Sequence, residues 1–177
     1  PLFEEAKSGG VNVIHVTIAY WENRKEVLEN ISEWHVRFQN YSDLIMPIQN
    51  ASDIITAKKK EKIGIILGFQ NCSPIENDLQ LVESMHTLGV RIMQLSYNNQ
   101  SLLATGCYED NDSGITRFGK EVIKEMNRVG MIIDMSHSAE ESTLQAIEYS
   151  TRPIAITHAN PSSFHPAIRN KSDKVLR

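Results

Sequence analysis

The sequence predicts an α/β fold with a parallel sheet, on three observations. Short apolar runs rich in β-branched residues alternate with longer amphipathic stretches. One run, Ile63–Phe69 (IGIILGF), is apolar almost throughout, as expected for a strand buried on both faces. Polar and ionisable residues cluster just after these runs, where parallel sheets bind ligands.

The elements follow in order. Residues 11–18 (VNVIHVTI) read as a strand. Residues 22–38 read as a helix, because Val27, Ile31, Trp34 and Phe38 recur at spacings of three and four. A second helix is expected over 52–61, with Ser52 as its N-cap. After Ile63–Phe69, a helix over 76–88 ends at Gly89, and residues 90–95 form a strand. A polar loop leads from Ser96 to about Gly114. Then come a helix over 116–129 closed by Gly130, a strand over 131–135, a helix over 139–149 and a strand over 154–157. The segment 160–171 is rich in Pro, Ser and Asn, and a last helix begins near Ser172. Strand–helix alternation of this kind gives parallel strands with helical crossovers. Neither G-x-G-x-x-G after the first strand nor G-x-x-x-x-G-K-[ST] is present. Periodicity alone leaves an open doubly wound sheet and a (β/α)8 barrel both standing; a complete barrel needs about 250 residues.

Composition excludes several classes. The 177 residues carry Lys+Arg 18 against Asp+Glu 22, a net charge of -4, and are 41% hydrophobic. This is an ordinary globular balance, and it lacks the basic stripe of a nucleic-acid binder. No apolar run approaches the roughly 20 residues that span a bilayer. Cys72 and Cys107 share no C-x-x-C spacing and are expected as free thiols in a reducing compartment. No charged segment followed by an apolar one opens the chain, so the expected location is cytoplasmic.

The chemistry concentrates at four strand ends. Gln70 follows the third run, Tyr97 and Asn98 follow the next, Asp134 and His137 close MIIDMSH, and His158 follows IAIT. His137 and His158 are 21 residues apart, one helix plus one strand. Neighbouring parallel strands lie about 4.8 Å apart, so two imidazoles there reach one metal ion. A histidine at a strand end is also a common capping residue, and a matched pair is the feature that favours metal. Asp134 is placed to orient a ligand or a water. His15, His35, His86 and His165 are read as packing or exposed residues.

From about residue 63 to the end, the chain resembles the membrane (renal) dipeptidase family of zinc peptidases. The resemblance rests on the ordered elements Gly114-x-Thr116-x-x-Gly119, Glu125-Met-Asn-Arg-x-Gly130-Met, Asp134-x-Ser136-His137, Thr157-His158 and Arg169-Asn170-x-x-Asp173. Lys7-Ser8-Gly9-Gly10-Val11 adds a weaker match. The resemblance implies a (β/α)8 barrel of the metal-dependent hydrolase type, of which about five β/α units are present. Residues 1–177 would then be a single incomplete barrel domain. The family's early H-x-D motif and its late catalytic aspartate would lie outside the sequence. It further implies zinc, as one or two ions, with His137 and His158 as ligands and Arg169 binding the substrate carboxylate. Gln70 stands where the family has a bridging glutamate, and a neutral amide bridges two cations poorly. It is carried as a weak metal ligand. Tyr97 stands where the family often has a histidine; a phenol can donate to an oxyanion. Tyr97 and Asp134 are therefore the catalytic candidates, and Asn98 and Tyr97 line the substrate pocket with Arg169.

The expected function is metal-dependent hydrolysis of the amide bond of dipeptides or similar small amides. The expected partner is a small dipeptide-like molecule, with no nucleic acid or membrane segment, and with homodimerisation open. A non-peptidase hydrolase or tailoring enzyme on the same scaffold, or a non-catalytic barrel homologue, are the alternatives. As an unclosed barrel, the segment alone is expected to carry half an active site and no catalysis.

Overall fold

The computed structural model describes residues 2–177. In chain order the elements are α1 (Leu2–Ser8), β1 (Val13–Ala19), α2 (Arg24–Asn40), β2 (Ile45–Pro47), α3 (Ala51–Lys59) and β3 (Ile63–Phe69). A 3-10 turn (Ser73–Ile75), α4 (Gln80–Thr87), β4 (Val90–Gln94), α5 (Arg117–Val129), β5 (Ile132–Asp134), α6 (Glu140–Tyr149) and α7 (Asp173–Leu176) follow.

All the strands pair in parallel, in the order β1-β3-β4-β5. β3 is the hub. β1 runs along one edge of it, from Val13 opposite Gly64 to Ala19 opposite Phe69. β2 and β4 share its other edge: Ile45–Pro47 pair with residues 63–65, and Val90, Ile92 and Met93 with Leu67, Gly68 and Phe69. Both faces of β3 are buried apart from half-buried Ile66, which suits its apolar sequence.

Local chemistry sets the helix ends. Asn23 and Glu26 form a capping box at the start of α2, and Thr116 Oγ1 accepts from Gly119 N at the start of α5. Gly130 closes α5 in the left-handed region at φ 87°, where a side chain would be strained. α5 buries Val122, Ile123 and Met126 completely, packing between α4 and α6.

The structure corrects three expectations and adds two elements. The cap of α3 is Asn50, not Ser52: Asn50 Oδ1 accepts from both Ser52 N and Asp53 N, and the Ser52 hydroxyl donates to it too. The segment 76–88 is not one helix, because Pro74 sits in a 3-10 turn and Glu76 takes φ 49° before α4 begins at Gln80. Residues 154–157 form no strand. They make one ladder step on β5, at Ala155 opposite Asp134, and their other side pairs with no strand among the described residues. The added elements are β2 and α1: three residues cannot show alternation, and α1 sets only the half-buried Phe3 and Ala6 against the core.

Parallel strands present all their C-terminal ends on one rim. Tyr20 and Trp21, Gln70, Tyr97 and Asn98, and His137 therefore leave β1, β3, β4 and β5 on the same side of the sheet. Ile123→Ala should lower the unfolding free energy by about 2–5 kcal/mol. Lys124→Ala, exposed on the same helix, should change it by less than about 0.5 kcal/mol. Urea unfolding of the two variants beside the parent checks this.

Candidate active site

The site begins with a buried carboxylate. Asp134 ends β5 and is fully buried. Its Oδ1 accepts from Ser136 N (3.0 Å), Ser136 Oγ (2.6 Å) and Thr157 N (3.2 Å). Its Oδ2 accepts from Thr157 Oγ1 (2.6 Å) and Gln94 Nε2 (2.9 Å). The carboxylate thus ties the turn after β5 to the segment after Ala155, which brings His137 and His158 together.

The hydrogen bonds then fix the tautomers. The Thr157 hydroxyl spends its proton on Asp134, so at 2.7 Å His158 Nδ1 must donate to Thr157 Oγ1. Asn98 Oδ1 is an acceptor 2.7 Å from His137 Nδ1, so that nitrogen also donates. Both Nε2 atoms are left with lone pairs, and they face each other at 2.9 Å. Two lone pairs this close repel unless a cation lies between them. Burial holds the His137 pKa down to about 4, assisted by the charges of Arg169 and His158; burial also lowers that of His158. Both rings are neutral near pH 7, the form that binds metal. A tetrahedral zinc sets two nitrogen ligands about 3.3 Å apart, so the pair needs only a small adjustment to hold one. Among the described residues no three His, Cys, Asp or Glu side chains converge in this way.

The loop after β4 builds the other wall. Asn98 adopts the left-handed conformation at φ 64°, which aims its amide at His137. The loop folds back so that Cys107 N donates to His137 O and Tyr108 N donates to Asn98 O, both at 2.9 Å. Only glycine fits at Gly106, where a Cβ would lie 2.1 Å from Asn98 O. Asn98, expected at the substrate, thus has its amide oxygen on a histidine. The Tyr97 ring lies over His137, with centroids 4.3 Å apart. Tyr20 and Trp21 meet Tyr97 edge-on at 5.6 and 5.7 Å. Glu22 holds that pair, its Oε2 accepting from Tyr20 N and Trp21 N.

Arg169 closes the site. Its Nη2 donates to His158 O (2.6 Å) and stands 3.5 Å from His137 Nε2. With His158, Asn160, His165 and Asn170 it lines a cavity of about 440 Å³. His165 is exposed, as expected, and lines this cavity. Gln70 sits on the same rim, but its amide donates to Thr17 Oγ1 on β1 at 2.9 Å, leaving Oε1 as its one possible metal donor.

Lys171 gave no signal in its polar segment, yet it is 3% exposed. Its Nζ donates to Ser138 O and to Thr143 Oγ1, pinning the Arg169 segment to the turn that carries His137. Burial is the main cause that lowers its pKa to about 8. Between about pH 8 and 10.5 the unfolded chain therefore binds a proton that the folded chain has released, and this group makes stability rise with pH. Comparing unfolding of the parent and Lys171→Met across that range isolates the effect: the parent should gain stability relative to the variant as pH rises.

Comparison with known proteins gives the family and the fold's neighbours. The profile of the membrane dipeptidase family (peptidase family M19) matches residues 3–177. A dipeptidase of Clonostachys rogersoniana, verJ, is 26% identical over 163 residues, covering 91% of this chain and 42% of its own. The crystal structure of an amidohydrolase from Pseudomonas aeruginosa superposes with a TM-score of 0.96 at 39% identity, over 99% of this chain and 54% of that one. A metallo peptidase from Rhodobacter sphaeroides, bound to a phosphinate mimic of the dipeptide L-Ala-D-Ala, superposes with a TM-score of 0.81 at 20% identity, over 86% of this chain and 45% of that one. The chain spans about half the length of these proteins. Its sheet and crossover helices are part of a (β/α)8 barrel. With the family profile matched from residue 3 to residue 177, the chain belongs to the membrane dipeptidase family, peptidase family M19.

Proposed function

We propose that this chain carries the two-histidine half of a metal centre in a hydrolase that cleaves the amide bond of dipeptides. The observation that carries the reading is the pair of Nε2 lone pairs facing each other at 2.9 Å beside a guanidinium. Family membership supports it, as does the phosphinate dipeptide mimic bound by the Rhodobacter relative.

His137 and His158 would hold one zinc ion. A cation there supplies Lewis acidity, which polarises a carbonyl and makes water acidic enough to attack near neutral pH. The remaining tasks fall to side chains. Arg169 presents a planar fork suited to the substrate carboxylate, and it lies close enough to the histidines to place the adjoining amide beside them. Tyr97, held over His137 by Tyr20 and Trp21, is placed to donate its hydroxyl proton to the oxygen that gains charge. Asp134 does not face the reaction; its oxygens are occupied in fixing Ser136 and Thr157. Gln70 offers no charge to offset a second ion, so the second site binds weakly.

The second reading, a hydrolase of non-peptide amides on the same scaffold, rests on Gln70 being drawn toward Thr17. Zinc content of the full-length protein tests the first reading: His137→Ala and His158→Ala should each lose the ion held by the pair, and unchanged stoichiometry in both contradicts it. Arg169→Met should lower kcat/KM for dipeptides by about ten- to a hundredfold, and not for C-terminally amidated analogues. Gln70→Glu should add a second zinc and raise dipeptide turnover. A second zinc without dipeptide turnover favours the other reading.

A further inference from the structure

The register puts His15 and Thr17 of β1, Gly68 of β3, Gln94 of β4 and Asp134 of β5 on one face of the sheet, opposite the face packed by helices. Its polar side chains stand among Ile66, Ile92 and Ile132, which the same register puts on this face. Two buried atoms on it, His15 Nε2 and Gln94 Oε1, have no protein hydrogen-bond partner. Leaving two such atoms unsatisfied costs about 1–3 kcal/mol each.

The chain makes room for His15. Gly68 lies beside it on β3, and a Cβ there would stand 2.0 Å from His15 Nε2. The imidazole therefore lies across the glycine, over β3. Burial lowers the His15 pKa, against the opposing charge of Asp134. Gln94 is the link between the two regions, because its Nε2 already donates to Asp134 Oδ2 at 2.9 Å. The Thr17 hydroxyl accepts from Gln70 Nε2 and keeps its own proton to give. A donor or acceptor from His15 and an acceptor from Gln94 supply two of the two to four partners that a buried water needs.

We infer that a water held by His15 Nε2 and Gln94 Oε1 joins β1 to the Asp134–Thr157–His158 chain, which makes His15 a positioning residue of the centre. Through that water His15 steadies the Gln94 amide, Gln94 steadies the Asp134 carboxylate, and Asp134 holds the Thr157 hydroxyl that keeps His158 in its Nδ1–H form. The inference rests on the metal reading for its purpose but not for its geometry.

The experiment uses the full-length protein. A high-resolution crystal structure should show an ordered water within hydrogen-bond distance of both His15 Nε2 and Gln94 Oε1. A side chain in that place, or no bound water, overturns the inference. Ring nitrogen NMR of the metal-free protein should show His158 as the Nδ1–H tautomer. His15→Phe should mix the tautomers and weaken zinc binding by about tenfold, the size of effect typical of groups behind a ligand. His15→Gln, which can still hold the water, should restore both. If His15→Phe stays folded and changes neither readout, or if His15→Gln behaves as His15→Phe does, the inference fails. If the parent binds no zinc, the proposed function fails, while the water and the tautomer still judge this inference.

Discussion

The buried carboxylate of Asp134 organises the site. Taking a carboxylate out of water costs several kcal/mol, and here donors from Ser136, Thr157 and Gln94 offset that cost. The offset has a structural consequence. Donors from three separate segments must meet at one point, so the turn after β5, the segment after Ala155 and the end of β4 are fixed relative to one another. The hydroxyl protons drawn to Asp134 then leave His158 no choice of tautomer. One desolvated charge thus decides where the lone pairs of the site point.

The second support comes from the opposite side. Asn98 reaches His137 through a loop that turns back on itself, and the turn depends on Gly106 lacking a side chain. Lys171, buried behind the histidine turn, holds the Arg169 segment against it. The two histidines are therefore clamped from different elements: His158 through Thr157 and Asp134, His137 through Asn98. Such independent support is what a ligand pair needs to hold its spacing before any ion arrives.

Much of this was legible in the sequence because parallel sheets obey strict geometry. Once 63–69, 90–95 and 131–135 are strands, the residues that follow them share a rim; His158 joins His137 there through the one step of Ala155 on β5 and the bonds from Thr157 to Asp134. The order of short motifs from Gly114 to Asp173 then pointed to the family. What stayed hidden depends on long-range contacts. Asp134 was visible as a candidate, but its donors come from residues 94, 136 and 157, and only the fold brings them together. Tyr20 and Trp21 could have been noticed as aromatics at a strand end, yet only contact with Tyr97 gives them meaning. Lys171 and His15 had no pattern, since burial is not written in a single residue. The absence of a strand at 154–157 follows from its meeting β5 at a single step, Ala155 opposite Asp134, which no local propensity reports.

The central claim is that the facing nitrogens of His137 and His158 are a cation site. Anomalous diffraction at the zinc absorption edge, from crystals of the full-length protein grown with zinc, tests it directly. The account predicts an anomalous peak bonded to both Nε2 atoms. A structure with those nitrogens sharing a proton, and with zinc elsewhere or absent, would contradict it.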